Sequence, residues 1–144
     1  MRILLVVLAT LIFVITGCAT TPVSPSTAKP VASDRLFAFQ ERTQTTNATV
    51  VVTRDKGFLG SGCYLSFFLS GTHAARFDVG ETAQFHVEPG EILLRSGPDL
   101  MGQGLCGFGQ DYWMQRETTL RAGETKHFRL SIGPPLDIQR GDPQ

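Results

Sequence analysis

The stretch CYLSFFLSGTHAARFDVGETAQFHVEPG, residues 63–90, decides the fold. Cys63, Leu65, Phe67 and Leu69 alternate with Tyr64, Ser66, Phe68 and Ser70. Ala75, Phe77 and Val79 alternate with Arg76 and Asp78, and Phe85 and Val87 with Gln84, His86 and Glu88. A period of two puts successive side chains on opposite faces of an extended strand, so each run reads as a half-buried strand. Ser70-Gly71-Thr72 predicts a tight hairpin between the first two runs. Glu88-Pro89-Gly90-Glu91 has Pro then Gly, the order a type II turn uses.

The same texture continues on both sides. Thr49-Val50-Val51-Val52-Thr53 is a β-branched run, and Ile92 to Leu94 is a short apolar one. Further strands are expected over Glu117 to Arg121, over Phe128-Leu130-Ile132 and over Leu136-Ile138, with a turn at Ala122-Gly123-Glu124. No window past residue 40 sustains a helical period for three turns. The fold expected is all-β, an antiparallel β-sandwich of about seven or eight short strands over residues 34–140, with a tail at 141–144. A small barrel is the alternative.

The charge balance excludes one large class of function. Lys plus Arg is 13 and Asp plus Glu is 13, so the 144-residue chain has no basic excess to neutralise phosphates, and no nucleic-acid partner is expected. Hydrophobic residues at 42% against 18% charged leave enough apolar surface for a core, which excludes a generically disordered chain.

The first residues carry an address. Met1-Arg2 is a short positive start, and Ile3 to Ile15 is apolar except for Thr10. That pattern reads as an export signal. A spanning anchor is the alternative, but Ile3 to Gly17 makes about 22 Å of helix at roughly 1.5 Å per residue. The hydrocarbon core is about 30 Å thick. The segment ends Ile15-Thr16-Gly17-Cys18, which resembles the lipobox of bacterial lipoproteins. The resemblance implies cleavage between Gly17 and Cys18, a diacylglycerol thioether on Cys18 and usually a third, palmitate-like acyl chain on the new amine. Small residues before the cysteine admit the peptidase, and the thiol is the nucleophile that takes the lipid. Two or more chains give stable anchoring. Ala19, where Asp would signal inner-membrane retention, implies the outer membrane, facing the periplasm, with exposure at the cell surface left open.

Residues 18–33 hold Pro22, Pro25 and Pro30 among Ser, Thr and Ala, without a periodic apolar face. They are expected to form a disordered spacer that holds the domain clear of the bilayer.

With Cys18 lipidated, Cys63 and Cys106 remain as an even pair in an oxidising compartment. A disulfide between them closes a loop of about 44 residues, worth about 4 kcal/mol by the chain-entropy argument. Two free thiols or a metal site are the alternatives. Cys106 lies in a glycine-rich loop, residues 97–111, where Gly102, Gly104 and Gly107 spell GxGxxG. A dinucleotide site needs a helix after that motif and a βαβ unit around it, and neither is predicted. Met101, Leu105, Phe108, Tyr112 and Trp113 can present an apolar surface or fold back as a lid. Phe108, Tyr112 and Trp113 are the candidate binding residues.

His73, His86 and His127 stand singly, without a metal-ligand spacing, and are expected to face solvent. No GxSxG elbow surrounds a serine, and Asp78, Glu81, Glu88 and Glu91 are not paired as a general acid and base. No catalytic residue, metal ligand or cofactor is therefore assigned.

Over residues 48–132 the cadence of a Ser70-Gly71-Thr72 hairpin, a Gly80-Glu81 turn and a Pro89-Gly90 turn before a strand resembles bacterial lipoproteins of unknown function with PEGA-like or transthyretin-like β-sandwiches. The resemblance implies a non-enzymatic envelope role. The partners expected are the membrane, through the lipid, and another envelope protein. Inhibition of a host or rival enzyme such as lysozyme is the alternative function, and a cell-wall hydrolase the third.

Overall fold

The computed structural model describes residues 20–57, 60–133 and 136–142. The signal segment, Gly17 and Cys18 lie outside these residues. Nine strands run through the described chain: β1 (Lys29–Pro30), β2 (Ala48–Arg54), β3 (Leu65–Leu69), β4 (Thr72–Phe77), β5 (Glu81–Val87), β6 (Gly90–Pro98), β7 (Met114–Leu120), β8 (Thr125–Ile132) and β9 (Leu136–Arg140). They form a five-stranded sheet, β1-β5-β2-β8-β9, and a four-stranded sheet, β4-β3-β6-β7. Strands β2 to β9 overlap the strand-like runs of the sequence, with β6 and β7 starting earlier than those runs. Among the described residues no helix is long and apolar enough to cross a membrane.

Alternation works here because strands β2 to β9 each give one face to a common core. Val50, Val52, Phe85, Phe128 and Leu130 from one sheet and Phe67, Leu69, Phe77 and Leu94 from the other bury almost completely in a single apolar cluster. Its centre is aromatic. The rings of Phe67 and Phe85, from opposite sheets, lie 5.5 Å apart, and Phe77 meets both edge-on at 5.9 and 6.3 Å. Offset and edge-on pairs at this spacing are the favourable geometries for aromatic quadrupoles.

The turns divide into two kinds. Ser70 (φ 46°) and Gly71 (φ 84°) link β3 to β4 in a two-residue loop with both central φ positive, the hairpin turn whose twist matches the flanking strands. Glu88-Pro89-Gly90-Glu91 does not form the type II turn that its sequence suggests. It carries the chain from β5 in one sheet to β6 in the other, with Gly90 at φ 136°. Arg121 to Glu124 likewise crosses between sheets, from β7 to β8. That crossing brings β8 in beside β2 in the same direction, so the pair is parallel and the sheets are not wholly antiparallel.

Residues 20–33 are not the free spacer their composition suggests. Thr21 and Lys56 exchange backbone hydrogen bonds of 2.6 and 3.0 Å. Lys29–Pro30 forms β1, parallel to β5, through Lys29 N–H to Gly80 C=O and Val31 N–H to Thr82 C=O. Val23 and Val31 are buried. A polar, proline-rich segment orders here because two valines find apolar cover while the sheet edge takes up its backbone groups. The folded unit therefore begins by Thr20, ahead of the expected boundary at residue 34. It also includes Gly141, whose N–H reaches His127 C=O at 2.9 Å.

Register places the β2–β3 and β6–β7 connections, two of the longest, together. The ends of β2, β4, β6 and β8 and the starts of β3, β5, β7 and β9 meet at one end of the two sheets. The Ser70-Gly71 hairpin and the crossings at Pro89-Gly90 and at 121–124 lie at the other.

Candidate functional site

The long-connection end is built on the loop from Asp99 to Trp113. Strand β6 runs on through Gly97 and Pro98, so this loop starts two residues later than the sequence suggests. Its middle is held by a Cys63–Cys106 disulfide with Cα atoms 5.4 Å apart. Its root is held by Asp99, which is buried and accepts two hydrogen bonds from Arg76, at 2.8 and 2.5 Å. The Leu100 N–H donates to Ser66 Oγ at 3.1 Å, and the Trp113 indole N–H to Gln110 C=O at 2.6 Å. The glycines let the loop fold tightly on itself. A Cβ on Gly102 would stand 2.4 Å from the Cys106 carbonyl oxygen.

Tyr112 and Trp113 are neighbours in sequence and go opposite ways. Trp113 is half-buried: its ring lies over Gly97, stacks under the Arg95 guanidinium at 4.2 Å and meets Phe68 edge-on at 5.7 Å. The expectation that Trp113 is an exposed binding residue is therefore corrected, because the missing side chain at Gly97 gives it a seat on the sheet. Gly97→Ala would place a methyl 2.4 Å from the indole. We expect a loss of about 1–3 kcal/mol, the usual cost of overpacking, with Trp113 fluorescence shifting red as the ring lifts; urea unfolding and emission spectra check both.

Phe108 and Tyr112 stay exposed, at 75% each, and so do Leu105 (86%), Met101 (62%) and Leu100 (54%). Of the large apolar side chains exposed among the described residues, Phe37 alone lies elsewhere in the chain. The loop therefore does both things left open by its sequence. One part seals the outer face of the four-stranded sheet, and the rest presents apolar groups to the outside. Leu105, Phe108 and Tyr112 border a cleft of about 250 Å³, closed on its far side by Leu65, Ile132 and Leu136. Tyr112 also borders a second apolar hollow, lined by Met114, Ile132 and Leu136.

Beside the cleft stands a ladder of paired charges that the sequence did not reveal. Tyr64 lies between Arg35 and Arg76, each guanidinium 4.7 Å from its ring. Arg35 donates to both oxygens of Glu81 at 2.6 Å, and Arg76 pairs with Asp99. Burial pushes the Glu81 and Asp99 carboxyls up, but their arginines and nearby backbone N–H groups outweigh it and hold both below the usual carboxylate range.

The histidines stay apart and each is partly exposed. His73 is stacked on Phe68 at 4.6 Å and touches Phe37 at 4.7 Å. A ring nitrogen of His86 lies 3.4 Å from Thr49 Oγ1, and His127 lies on β8. Among the described residues no group of three or more His, Cys, Asp or Glu could hold a metal ion.

Burial holds the His73 imidazole below its ordinary value. A base whose pKa is depressed by folding contributes stability fully above the unfolded value, about 6.5, and loses it as pH falls toward the folded one. Asp99 and Glu81, depressed acids, contribute above their unfolded values near about 4 and lose that as pH falls through the folded values. Stability is thus expected to fall in two stages on acidification. His73→Gln should remove the upper stage and leave the lower, in thermal midpoints taken from pH 7.5 to 3; an unchanged profile would refute the assignment.

No family model matches this chain, and no curated protein matches it significantly.

Proposed function

We propose that the protein is a lipid-anchored component of the bacterial outer membrane, facing the periplasm, that works by binding rather than by catalysis. Cys18 carries the acyl chains after cleavage behind Gly17. The folded part is a β-sandwich of the PEGA-like or transthyretin-like kind, and the two sheets around one core support that reading. One observation carries the binding role: apolar side chains held out of the core on a loop pinned by a disulfide, an ion pair and a seated tryptophan. Monomeric proteins rarely keep large exposed apolar patches that serve nothing.

The anchor is tested by feeding cells a clickable fatty acid. The native chain should label and fractionate with the outer membrane; Cys18→Ala should do neither. Labelling of the variant, or no labelling of either, would overturn it. The binding role is tested by a photocrosslinking residue at Leu105 and, as control, at Thr72 on the far hairpin. Adducts at 105 and none at 72 support it, and equal yields would overturn it.

The protruding, disulfide-held loop also suits insertion into an enzyme cleft, which favours an inhibitor as the second reading. Lack of lysozyme inhibition at micromolar protein would dismiss that enzyme as the target.

A further inference from the structure

The described chain begins at the end that carries the apolar loop. Thr21 pairs with Lys56, just beyond the end of β2, and Thr20 packs against Gly57, where a Cβ would lie 3.0 Å from its methyl. Gly60, three residues on, lines the same cleft as Leu105, Phe108 and Tyr112. Arg54 joins these parts by donating to the carbonyls of Gly60, Cys63 and Phe77. Cys18 precedes Thr21 by three residues. That is at most about 11 Å of extended chain, at roughly 3.6 Å per residue.

A lipid on Cys18 therefore holds this end of the domain, and no other, against the bilayer. We propose that the loop end is a second membrane contact, in which Leu105, Phe108 and Tyr112 enter the boundary between headgroups and acyl chains of the leaflet that holds the anchor. The proposal rests on the anchor reading above and names the partner of the same site.

Three observations favour lipid as the occupant. The length of chain between Cys18 and the fold is too short to lift the loop clear of the membrane surface. The exposed groups are aliphatic and aromatic, with Tyr112 carrying the polar tip that suits an interface. The Arg76–Asp99 and Arg35–Glu81 charges beside them are paired, Arg54 is buried, and exposed Lys56 and Asp111 are of opposite sign. Because the acyl chains make the loop's contact intramolecular, a weak insertion is enough to fix the orientation of the domain. Pinning the loop also removes the entropy that a mobile segment would lose on inserting.

The test uses full-length, lipid-modified protein in phosphatidylethanolamine–phosphatidylglycerol vesicles with and without brominated acyl chains. Leu105→Trp and Phe108→Trp each add a reporter at an exposed position. Thr72→Trp, at the opposite end, is the control, and native Trp113 is a constant background. Bromine should quench the added emission at 105 and 108 at least about twofold, since interfacial groups sit roughly 5–10 Å into the boundary. The added emission at 72 should not change. Intact mass of the same samples reports the acyl chains on Cys18. Acylated protein with unquenched 105 and 108 would overturn the docking and leave the anchor standing. Equal quenching at 72 would overturn the orientation. A missing acyl mass would overturn the anchor and the docking together.

Discussion

Replacing Arg54 by Met is expected to cost about 3 kcal/mol of folding stability, from the loss of three charge-assisted hydrogen bonds at roughly 1 kcal/mol or more each, one to a buried carbonyl and two to part-buried ones. Arg54 ends β2 on the parity of Val50 and Val52, so its side chain enters between the sheets and is 1% exposed. One nitrogen of its guanidinium donates to Cys63 C=O at 2.7 Å and Phe77 C=O at 2.8 Å, the other to Gly60 C=O at 2.7 Å. Burial lowers its pKa to about 10, with Asp78 and Glu81 working against the shift, so the group is still a cation at neutral pH. A buried charge is expensive, and the fold keeps it because one planar fork can close three chain segments at once. Met matches the length and removes the charge penalty, which limits the loss, yet it leaves all three carbonyls without donors. Arg54→Lys should fall about halfway, since an ammonium cannot span the same fork. Urea unfolding checks the series; a loss below about 1 kcal/mol for Met would show that water or local rearrangement satisfies the carbonyls.

This residue also marks how far the sequence could be read. A charge on the core parity of a β-branched strand is visible in Val50-Val51-Val52-Thr53-Arg54, but its partners, at residues 60, 63 and 77, are brought to it by strand pairing alone. The strands were legible because period two is a local signal. Ser70-Gly71 was legible because so few two-residue turns suit a hairpin. Pro89-Gly90 misled because the same dipeptide serves a turn within one sheet and a crossing between two. The ordered segment at 20–33 was illegible for another reason. Val23 and Val31 are too far apart to set a period, and proline-rich composition is shared by spacers and by chains laid along a sheet edge. At the site, composition gave an apolar loop but not its direction. Whether Tyr112 or Trp113 turns inward depends on Gly97, which is distant in sequence and adjacent in space.

Removing the disulfide is the second large effect. Cys63→Ala with Cys106→Ala should lower stability by about 4 kcal/mol if the cross-link acts by restricting the unfolded chain, and the range seen for native disulfides in small domains is about 2–5 kcal/mol. The core should survive, because neither cysteine belongs to the cluster around Phe67, Phe77 and Phe85. The Arg76–Asp99 pair and the seat of Trp113 on Gly97 should still hold the loop at its two ends. What is lost is the middle. Without Cys106 tied to Cys63, the backbone hydrogen bonds described between Gly102 and Gly109 are short local turns, among them Cys106 N–H to Gln103 C=O. Leu105 and Phe108 are then free to collapse onto the cleft they now border. Two measurements separate the consequences. Urea midpoints give the global loss, and limited proteolysis should show new cleavage between residues 102 and 109 at a concentration of protease that leaves the native chain intact. A global loss with no new cleavage would mean that the pairs at the loop's root already set its shape, and that the cystine serves stability alone. Cleavage with little global loss would mean the reverse: the bond is there to present Leu105 and Phe108, and the double variant should then lose membrane contact at the loop while keeping its lipid anchor.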